Sequence, residues 1–262
     1  MSEHVLECGD CLELMRELPA ASVDMVLCDL PYGATQNKWD SVIPFVPLWG
    51  QYRRVCKVNA AIVLTASQPF TSALVMSNPC WFRHEWIWIK DKGSNFANTV
   101  REPMKEHESC IVFSAGRWIY NKQMQERSGS GLKAAGKPNS RGGFCSTTNY
   151  GAGNTERVLV ETLPELRVPT SWQKFTGERG YHPTQKPAAL FSYLIRTYTN
   201  PGAVVLDNCC GSGTTGVACV ETSRSSIQFE LSPEYCDIAW ARLNEAIAKK
   251  KAVQPLNAGA AE

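Results

Sequence analysis

Two short stretches of this 262-residue chain combine the residue types and spacing that chemistry needs. The first is Leu206-Asp207-Asn208-Cys209-Cys210-Gly211-Ser212-Gly213-Thr214-Thr215-Gly216, in which Gly211, Gly213 and Gly216 satisfy the GxGxxG spacing. Such glycines let the chain turn sharply and let backbone N–H groups approach a ligand closely, at the start of a helix. Fourteen residues beyond Gly216 stands Glu230, a carboxylate placed to accept hydrogen bonds from both hydroxyls of a ribose. The second stretch, Cys28-Asp29-Leu30-Pro31-Tyr32-Gly33, offers a carboxylate, a rigid proline and an aromatic ring. It follows a strand pattern, and the carboxyl ends of parallel strands are where open α/β sheets place their chemistry. Taken alone, each carboxylate reads equally well as part of an ordinary turn; the presence of both in one chain weakens that reading.

The elements that must hold these turns are visible as apolar runs. Strand character recurs at Val23–Cys28, Ala61–Thr65, Glu85–Ile89, Cys110–Ser114, Ala203–Leu206 and Ser226–Phe229. The runs are short and nearly continuous, as expected of strands buried on both faces of a parallel sheet. Helical patterns lie between them. Leu12, Met15 and Leu18 form a stripe ended by Pro19, and Phe191, Leu194, Ile195 and Tyr198 form another closed by Asn200-Pro201-Gly202. A last helix should start at Ser232-Pro233-Glu234 with Ile238, Leu243 and Ile247 on one side, fraying into Lys249-Lys250-Lys251. Alternating strands and helices predict an α/β, Rossmann-like, mostly parallel sheet with helices on both faces. The alternation breaks between Arg127 and Thr155, where seven glycines accompany four basic residues and no acidic one. A long segment of this kind reads as a solvated loop or as an element touching a polyanion.

The net charge of +2 does not by itself announce a nucleic-acid partner. No apolar run approaches the ~20 residues of a membrane span, and the N-terminal residues lack the order of a signal peptide. The 11 cysteines show no framework spacing, which predicts free thiols in a reducing cytoplasm. Cys8-Gly9-Asp10-Cys11 has no second CxxC or His pair to complete a metal site, and Glu106-His107-Glu108 lacks zinc spacing and reads as structural.

GxGxxG also suits a nicotinamide or flavin fold, but dehydrogenases place this motif in their first βαβ unit. Here the glycine turn comes late, so the remaining strands must come from the N-terminal half. Asp29-Leu30-Pro31-Tyr32 resembles the (D/N/S)PP(Y/F/W) catalytic motif of amino-methyltransferases, and Asp207–Thr215 resembles their S-adenosylmethionine motif, D-x-F-x-G-S-G-T. His182-Pro183-Thr184-Gln185-Lys186-Pro187 resembles the H-P-(T/A)-x-K-P segment preceding it. With the catalytic motif first and the cofactor motif last, the chain resembles the circularly permuted beta class of S-adenosylmethionine-dependent DNA amino-methyltransferases, over roughly residues 5–115 and 180–245.

The resemblance implies methyl transfer from S-adenosylmethionine to N6 of a flipped-out adenine in double-stranded DNA. Asp29 and the carbonyl of Leu30 would accept the two amine N–H groups, Pro31 would fix the turn and Tyr32 would stack on the base. The family usually has proline at the position of Leu30 and phenylalanine at that of Cys209. Asp10, with Cys11 beside it, matches the acidic residue that reads the cofactor adenine amine. Asp207, Asn208, Cys209, Gly211, Ser212, Gly213, Thr214 and Thr215 would cradle the methionine end, Glu230 would hold the ribose, and His182 and Lys186 would order the segment over the cofactor. Asp40 has both a helix-start and a supporting reading. Target recognition is expected in 115–180, between a catalytic half at 1–114 and a cofactor half at 181–250, followed by a disordered tail at 251–262. There Lys133, Lys137, Arg141, Arg167, Lys174 and Arg179 are candidate DNA contacts. A cytosine-N4 enzyme, which more often has serine at position 29, and an inactive DNA-binding relic remain the alternatives. Homodimers occur in this class, and nothing in the sequence bears on whether this chain forms one.

Overall fold

The computed structural model describes residues 2–33, 40–127, 165–178, 180–181 and 185–253. In chain order its elements are β1 (His4–Cys8), α1 (Cys11–Glu17), β2 (Val23–Cys28), α2 (Phe45–Val55), β3 (Cys56–Ala66), α3 (Phe70–Ser77) and β4 (Phe82–Ser94). A 3-10 turn (Phe96–Asn98), β5 (Lys105–Phe113), β6 (Gln125–Glu126), β7 (Leu166–Arg167), β8 (Trp172–Lys174) and α4 (Ala188–Tyr198) follow. The chain continues through β9 (Val204–Asp207), α5 (Thr214–Thr222), β10 (Ser225–Glu230) and α6 (Pro233–Val253).

Eight strands form one sheet in the order β1-β10-β9-β2-β3-β5-β4-β8, and β5 alone runs against its neighbours. Alternation along the strands feeds two apolar layers. On β2, Val26 and Cys28 pack with Met15 of α1, Leu48 and Tyr52 of α2, and Leu74 of α3. Met25 and Leu27 point the other way, towards Leu190, Phe191, Leu194, Ile195 and Tyr198 of α4 and Ala218 and Cys219 of α5. Burying each of the larger apolar side chains contributes roughly 1.5–3 kcal/mol, so the central strands are held from both sides. From β2 the chain winds towards β3; from β9 it winds the opposite way, towards β10. The strand order therefore reverses between β9 and β2, which pair in parallel through Met25–Val205 and Val26–Leu206.

The predicted strands are all present, with β2 at the predicted limits and the others longer or shifted by a residue. β4 and β5 extend past their apolar runs because backbone pairing continues through polar residues, as far as Ser94 opposite Lys105. β1 and β8 have no counterpart in the predicted set. β1 is an edge strand in which Leu6 alone is fully buried, so it has no apolar run, and β8 is three residues long. On α6 the buried face is Cys236, Ala239, Arg242 and Leu243, whereas Ile238 and Ile247 are only half-buried. The predicted stripe was thus displaced by small residues and an arginine.

The chain divides into Met1–Asn121 with Ser171–Glu262 and a smaller unit, Lys122–Thr170. The insertion is shorter than the predicted 115–180, because β8 joins the main sheet through Ile87–Trp172 and Ile89–Lys174. In the smaller unit β6 and β7 pair antiparallel. Of the predicted tail, 251–253 belong to α6, and 254–262 lie outside the described residues. No helix among the described residues is long and apolar enough to cross a membrane.

Gly216 lets α5 lie directly on β10. A Cβ there would sit 2.3 Å from Gln228 Nε2, and the fully buried Gln228 cannot swing aside without losing the bond its Oε1 accepts from Gly216 N–H at 3.0 Å. Gly216→Ala is expected to cost about 1–3 kcal/mol and to lower Tm by roughly 3–10 °C, measurable by thermal denaturation.

Candidate active site

At the reversal point the chains leaving β2 and β9 splay apart and a crevice opens at the carboxyl ends of the strands. The cavity there is about 520 Å³, within the usual range for a small-molecule site. Its wall includes Asp10, Cys11, Asp29, Leu30, Pro31 and Tyr32 from the first half of the chain. Lys186, Asp207, Asn208, Cys209, Gly211, Ser212, Thr214 and Glu230 complete it from the second. The two turns found in the sequence thus face one space.

Asp29 stands just past β2. Its Oδ1 accepts hydrogen bonds from the hydroxyls of Tyr32 (2.7 Å) and Thr65, the latter from β3, and its Oδ2 accepts from Lys186 Nζ at 2.6 Å. Tyr32 stacks on Phe70 at 5.1 Å, and the Lys186 ammonium lies 5.7 Å from the Tyr32 ring centre. The ring expected to stack on a base thus meets Phe70 on one face, and its hydroxyl donates to Asp29. Leu30 turns its side chain into the core. Asp40 does not start a helix, since α2 begins after Pro44; its Oδ1 instead accepts the Gly33 N–H at 2.8 Å.

Lys186 lines the cavity as well; its side chain is 5% exposed, and its ammonium sits between two carboxylates, Asp29 Oδ2 at 2.6 Å and Glu108 Oε2 at 3.4 Å. Burial alone would lower its pKa; Asp29 and Glu108 outweigh that and raise it, so the lysine stays charged. A buried ammonium requires counter-charges, and no helix or strand pattern around position 186 could say which. Glu108, read from sequence as structural, pairs through Oε1 with Lys90 and lines the same cavity. Thr65 was likewise unmarked: a threonine ending an apolar strand has no distinguishing spacing.

The glycine turn is built from within. Gly211 and Gly213 adopt φ of +52° and +77°, which side-chain-bearing residues rarely do, and a Cβ on Gly213 would lie 2.9 Å from that of Ala239 on α6. Asp207 directs both oxygens into the turn, Oδ1 to Cys209 N–H at 3.1 Å and Oδ2 to the Thr215 hydroxyl. The carboxylate expected beside a ligand therefore ties the turn together. Burial raises its pKa to about 7, against the hydrogen bonds from Thr215 and Cys209. Asn208 accepts from Tyr52 of α2 at 2.6 Å and its amide approaches the sulfurs of Cys11 and Cys209. The Cys209 contact and then burial raise the Cys11 pKa; against the Cys11 contact, the Cys28 contact and burial raise that of Cys209, so both thiols stay neutral.

Glu230 joins the two loops of this half. Its Oε2 accepts from Gly211 N–H at 2.8 Å and Oε1 from Ser232 N–H at 2.9 Å; each oxygen can accept one more bond. Asp10 N-caps α1, its Oδ1 accepting from Leu12 and Glu13 N–H at 2.8 and 3.1 Å. Arg242 of α6 was missed by sequence reasoning. Its guanidinium is buried behind the turn, donating to the Ser212 carbonyl (2.6 Å) and hydroxyl (2.9 Å) and to Thr214 (3.3 Å). The ten cysteines among the described residues are all free.

Of the other candidates, His182, Lys133, Lys137, Arg141 and Arg179 lie outside the described residues. Lys174 is exposed on the edge strand β8, and Arg167 is half-buried on β7 of the smaller unit.

A sheet reversing at a glycine turn, with a carboxylate loop on the neighbouring strand, is the arrangement of the α/β proteins that seat a nucleoside ligand at the crevice. A family model for DNA methylases of the N6/N4 type matches residues 23–241, and the chain belongs to that family. DNA adenine methyltransferase YhdJ of Escherichia coli strain K12 is 26% identical over 263 residues, spanning 91% of this chain and 82% of that protein. The M1.HpyAVI–SAM complex superposes with a TM-score of 0.61 at 23% identity, covering 91% of this chain and 99% of the other. The cytosine-N4-specific PvuII DNA methyltransferase superposes with a TM-score of 0.66 at 16% identity, covering 96% and 92%. At these identities the two structural matches establish the fold.

The Asp207 environment has a consequence for stability. Its folded pKa of about 7 lies above the unfolded value of 3.8, so the native state binds the extra proton, and stability falls as pH rises from about 4 to 7. Asp207→Asn keeps an acceptor and removes the charge. It is expected to raise stability at pH 8 by an amount on the order of 2–4 kcal/mol, with the gain vanishing near pH 4, read from urea unfolding at both pH values.

Proposed function

We propose that the protein transfers the methyl group of S-adenosylmethionine to the N6 amine of an adenine turned out of double-stranded DNA. The observation that carries this reading is the single cavity shared by Asp29 and by the glycine turn with Glu230. Membership of the DNA methylase family supports the reaction class, and the named adenine enzyme among the relatives supports the base. Aspartate rather than serine at position 29 points the same way.

The donor set fits the cofactor. Glu230 has acceptor capacity for two ribose hydroxyls, and Asp10, which caps α1 through one oxygen, has the other for an adenine amine. Gly211, at a positive φ that glycine adopts freely, lines the cavity with no side chain between its backbone and the methionine end. When bound, S-adenosylmethionine supplies an electrophilic methyl on a sulfonium. The chain's task is to make the amine a nucleophile, because its lone pair is delocalised into the ring. Asp29 accepts one amine N–H and the Leu30 carbonyl the other, drawing the nitrogen towards tetrahedral geometry and meeting the positive charge that grows on it. Tyr32 and Thr65 keep the carboxylate from rotating, so this stabilisation is in place before the base arrives. Turning the base out costs a few kcal/mol, which closure in the cavity offsets.

Lys133, Lys137, Arg141, Arg167, Lys174 and Arg179 are proposed as phosphate contacts, supported by their sequence setting and by the exposure of Lys174. Free thiols accord with action in the cytoplasm.

The test is transfer from labelled S-adenosylmethionine to unmethylated bacterial DNA, followed by nucleoside analysis. Wild type should yield N6-methyladenine, and Asp29→Ala should lower the rate by at least about 100–1000-fold, the scale for losing one preorganised group. Labelled N4-methylcytosine would keep the mechanism and change the base. Cofactor binding without any label would favour the inactive relic. Gly213→Ala, which strains the turn and crowds Ala239, should weaken S-adenosylmethionine binding at least about tenfold by calorimetry, a loss of 1.4 kcal/mol or more.

A further inference from the structure

We propose that Glu108 is a positioning residue for methyl transfer, which takes over the Lys186 ammonium when the target amine occupies Asp29. The proposal rests on the methyltransferase reading of the cavity and deepens it by assigning the step that frees the carboxylate.

The argument starts from the acceptors of Asp29. Two hydroxyls occupy Oδ1, and Lys186 occupies Oδ2 at 2.6 Å. An amine that is to donate to this carboxylate must therefore share or replace the lysine at Oδ2. A buried ammonium drawn away from one carboxylate needs another counter-charge within reach, or the move leaves its charge poorly compensated. The structure provides a second place for that charge. Glu108 Oε2 is buried, takes no hydrogen bond, and lies 3.4 Å from the same Nζ atom. A charge-assisted N–H···O bond closes at about 2.7–2.9 Å, so a displacement of under ~1 Å converts the contact into a full hydrogen bond.

Glu108 is itself fixed. Its other oxygen pairs with Lys90, whose ammonium lies 5.3 Å from the centre of the Trp88 ring. Residues 88 and 108 face each other across the β4–β5 ladder. A plain cross-strand ion pair between Lys90 and Glu108 accounts for Oε1. It does not account for an unfilled, buried Oε2 directed at the lysine on Asp29. The four groups run Asp29, Lys186, Glu108, Lys90 with alternating sign, so a shift of Lys186 within the row leaves the total charge unchanged. What changes is the charge nearest the amine. As the cation recedes, Asp29 becomes less screened just as positive charge develops on the attacking nitrogen.

The role is indirect: Glu108 acts through Lys186, and that makes it separable from a merely structural one. Glu108→Gln keeps the shape of the side chain but offers a neutral acceptor. In single-turnover assays on the full chain, we expect the methyl-transfer rate to fall about 10–100-fold, within the range mutagenesis assigns to one electrostatic group. Affinity for S-adenosylmethionine and KM for DNA should stay within about threefold, since the two carboxylate oxygens face Lys90 and Lys186. Glu108→Asp, which restores the charge at shorter reach, should recover part of the rate and serves as the working variant should the glutamine form prove unstable. The decisive comparison is a double-mutant cycle. With Lys186→Met there is no ammonium to move, so adding Glu108→Gln should change the remaining rate by less than about twofold.

Three outcomes would overturn the proposal: a Glu108→Gln rate within twofold of wild type, an effect undiminished in the Lys186→Met background, or losses of cofactor affinity and Tm that track the loss of rate in both Glu108 variants. A wild type that transfers no methyl would overturn the methyltransferase reading and this proposal together. An active wild type with an indifferent Glu108 would overturn this proposal alone.

Discussion

The parallel pairing of β2 with β9 is the constraint on which the rest of the structure depends. Met25 and Val26 meet Val205 and Leu206, residues distant in sequence, and only this juxtaposition brings the loops after the two strands to the same crevice. Each loop is unremarkable without the other. Asp29 would be a carboxylate on a turn, and the glycine turn would be a nucleotide cradle with no reacting group beside it. The apolar layers serve this pairing: Met25 and Leu27 are clamped by α4 and α5, and Val26 and Cys28 by α1, α2 and α3.

Around the crevice, most polar groups act on other protein groups. Asp207 closes its own turn, Glu230 spans two loops, Tyr52 reaches from α2 to Asn208, and Arg242 braces Ser212 from α6. Such preorganisation fixes acceptors before any ligand binds, which is where electrostatic catalysis gets its advantage over water. The cost is desolvation, visible in the raised pKa of Asp207 and in the pair of carboxylates needed to keep Lys186 charged at 5% exposure.

What could be read from sequence follows from this division of labour. Strand β2, the helix stripe from Phe191 to Tyr198 and the two turns were legible because periodicity and glycine spacing are local signals. The catalytic and cofactor motifs could be ordered along the chain, which separated this fold from a dehydrogenase. Glu108 reads as structural in the sequence because its local spacing is not that of a metal site, and its partners Lys90 and Lys186 come from the β4–β5 ladder and from a segment far along the chain. Thr65 and Arg242 were illegible for the same reason: a side chain that supports a site from another element leaves no spacing of its own. β1 was missed because an edge strand with one buried side chain lacks an apolar run.

That edge strand also bears on how the protein is made. His4–Cys8 pair with Ser226–Glu230, and Leu6 packs against Cys210, Cys236 and Ala239. During synthesis at ~5–20 residues per second, β1 emerges on the order of 10–40 seconds before its partner strand exists. Through that interval the nascent chain carries an unpaired strand beside a half-formed sheet, and the last helix must be delivered before Arg242 can brace the glycine turn. The half of the crevice that carries Asp29 is thus available to fold first and the half that carries the glycine turn last, so a ribosome that stalls late leaves behind one wall of the crevice without the other.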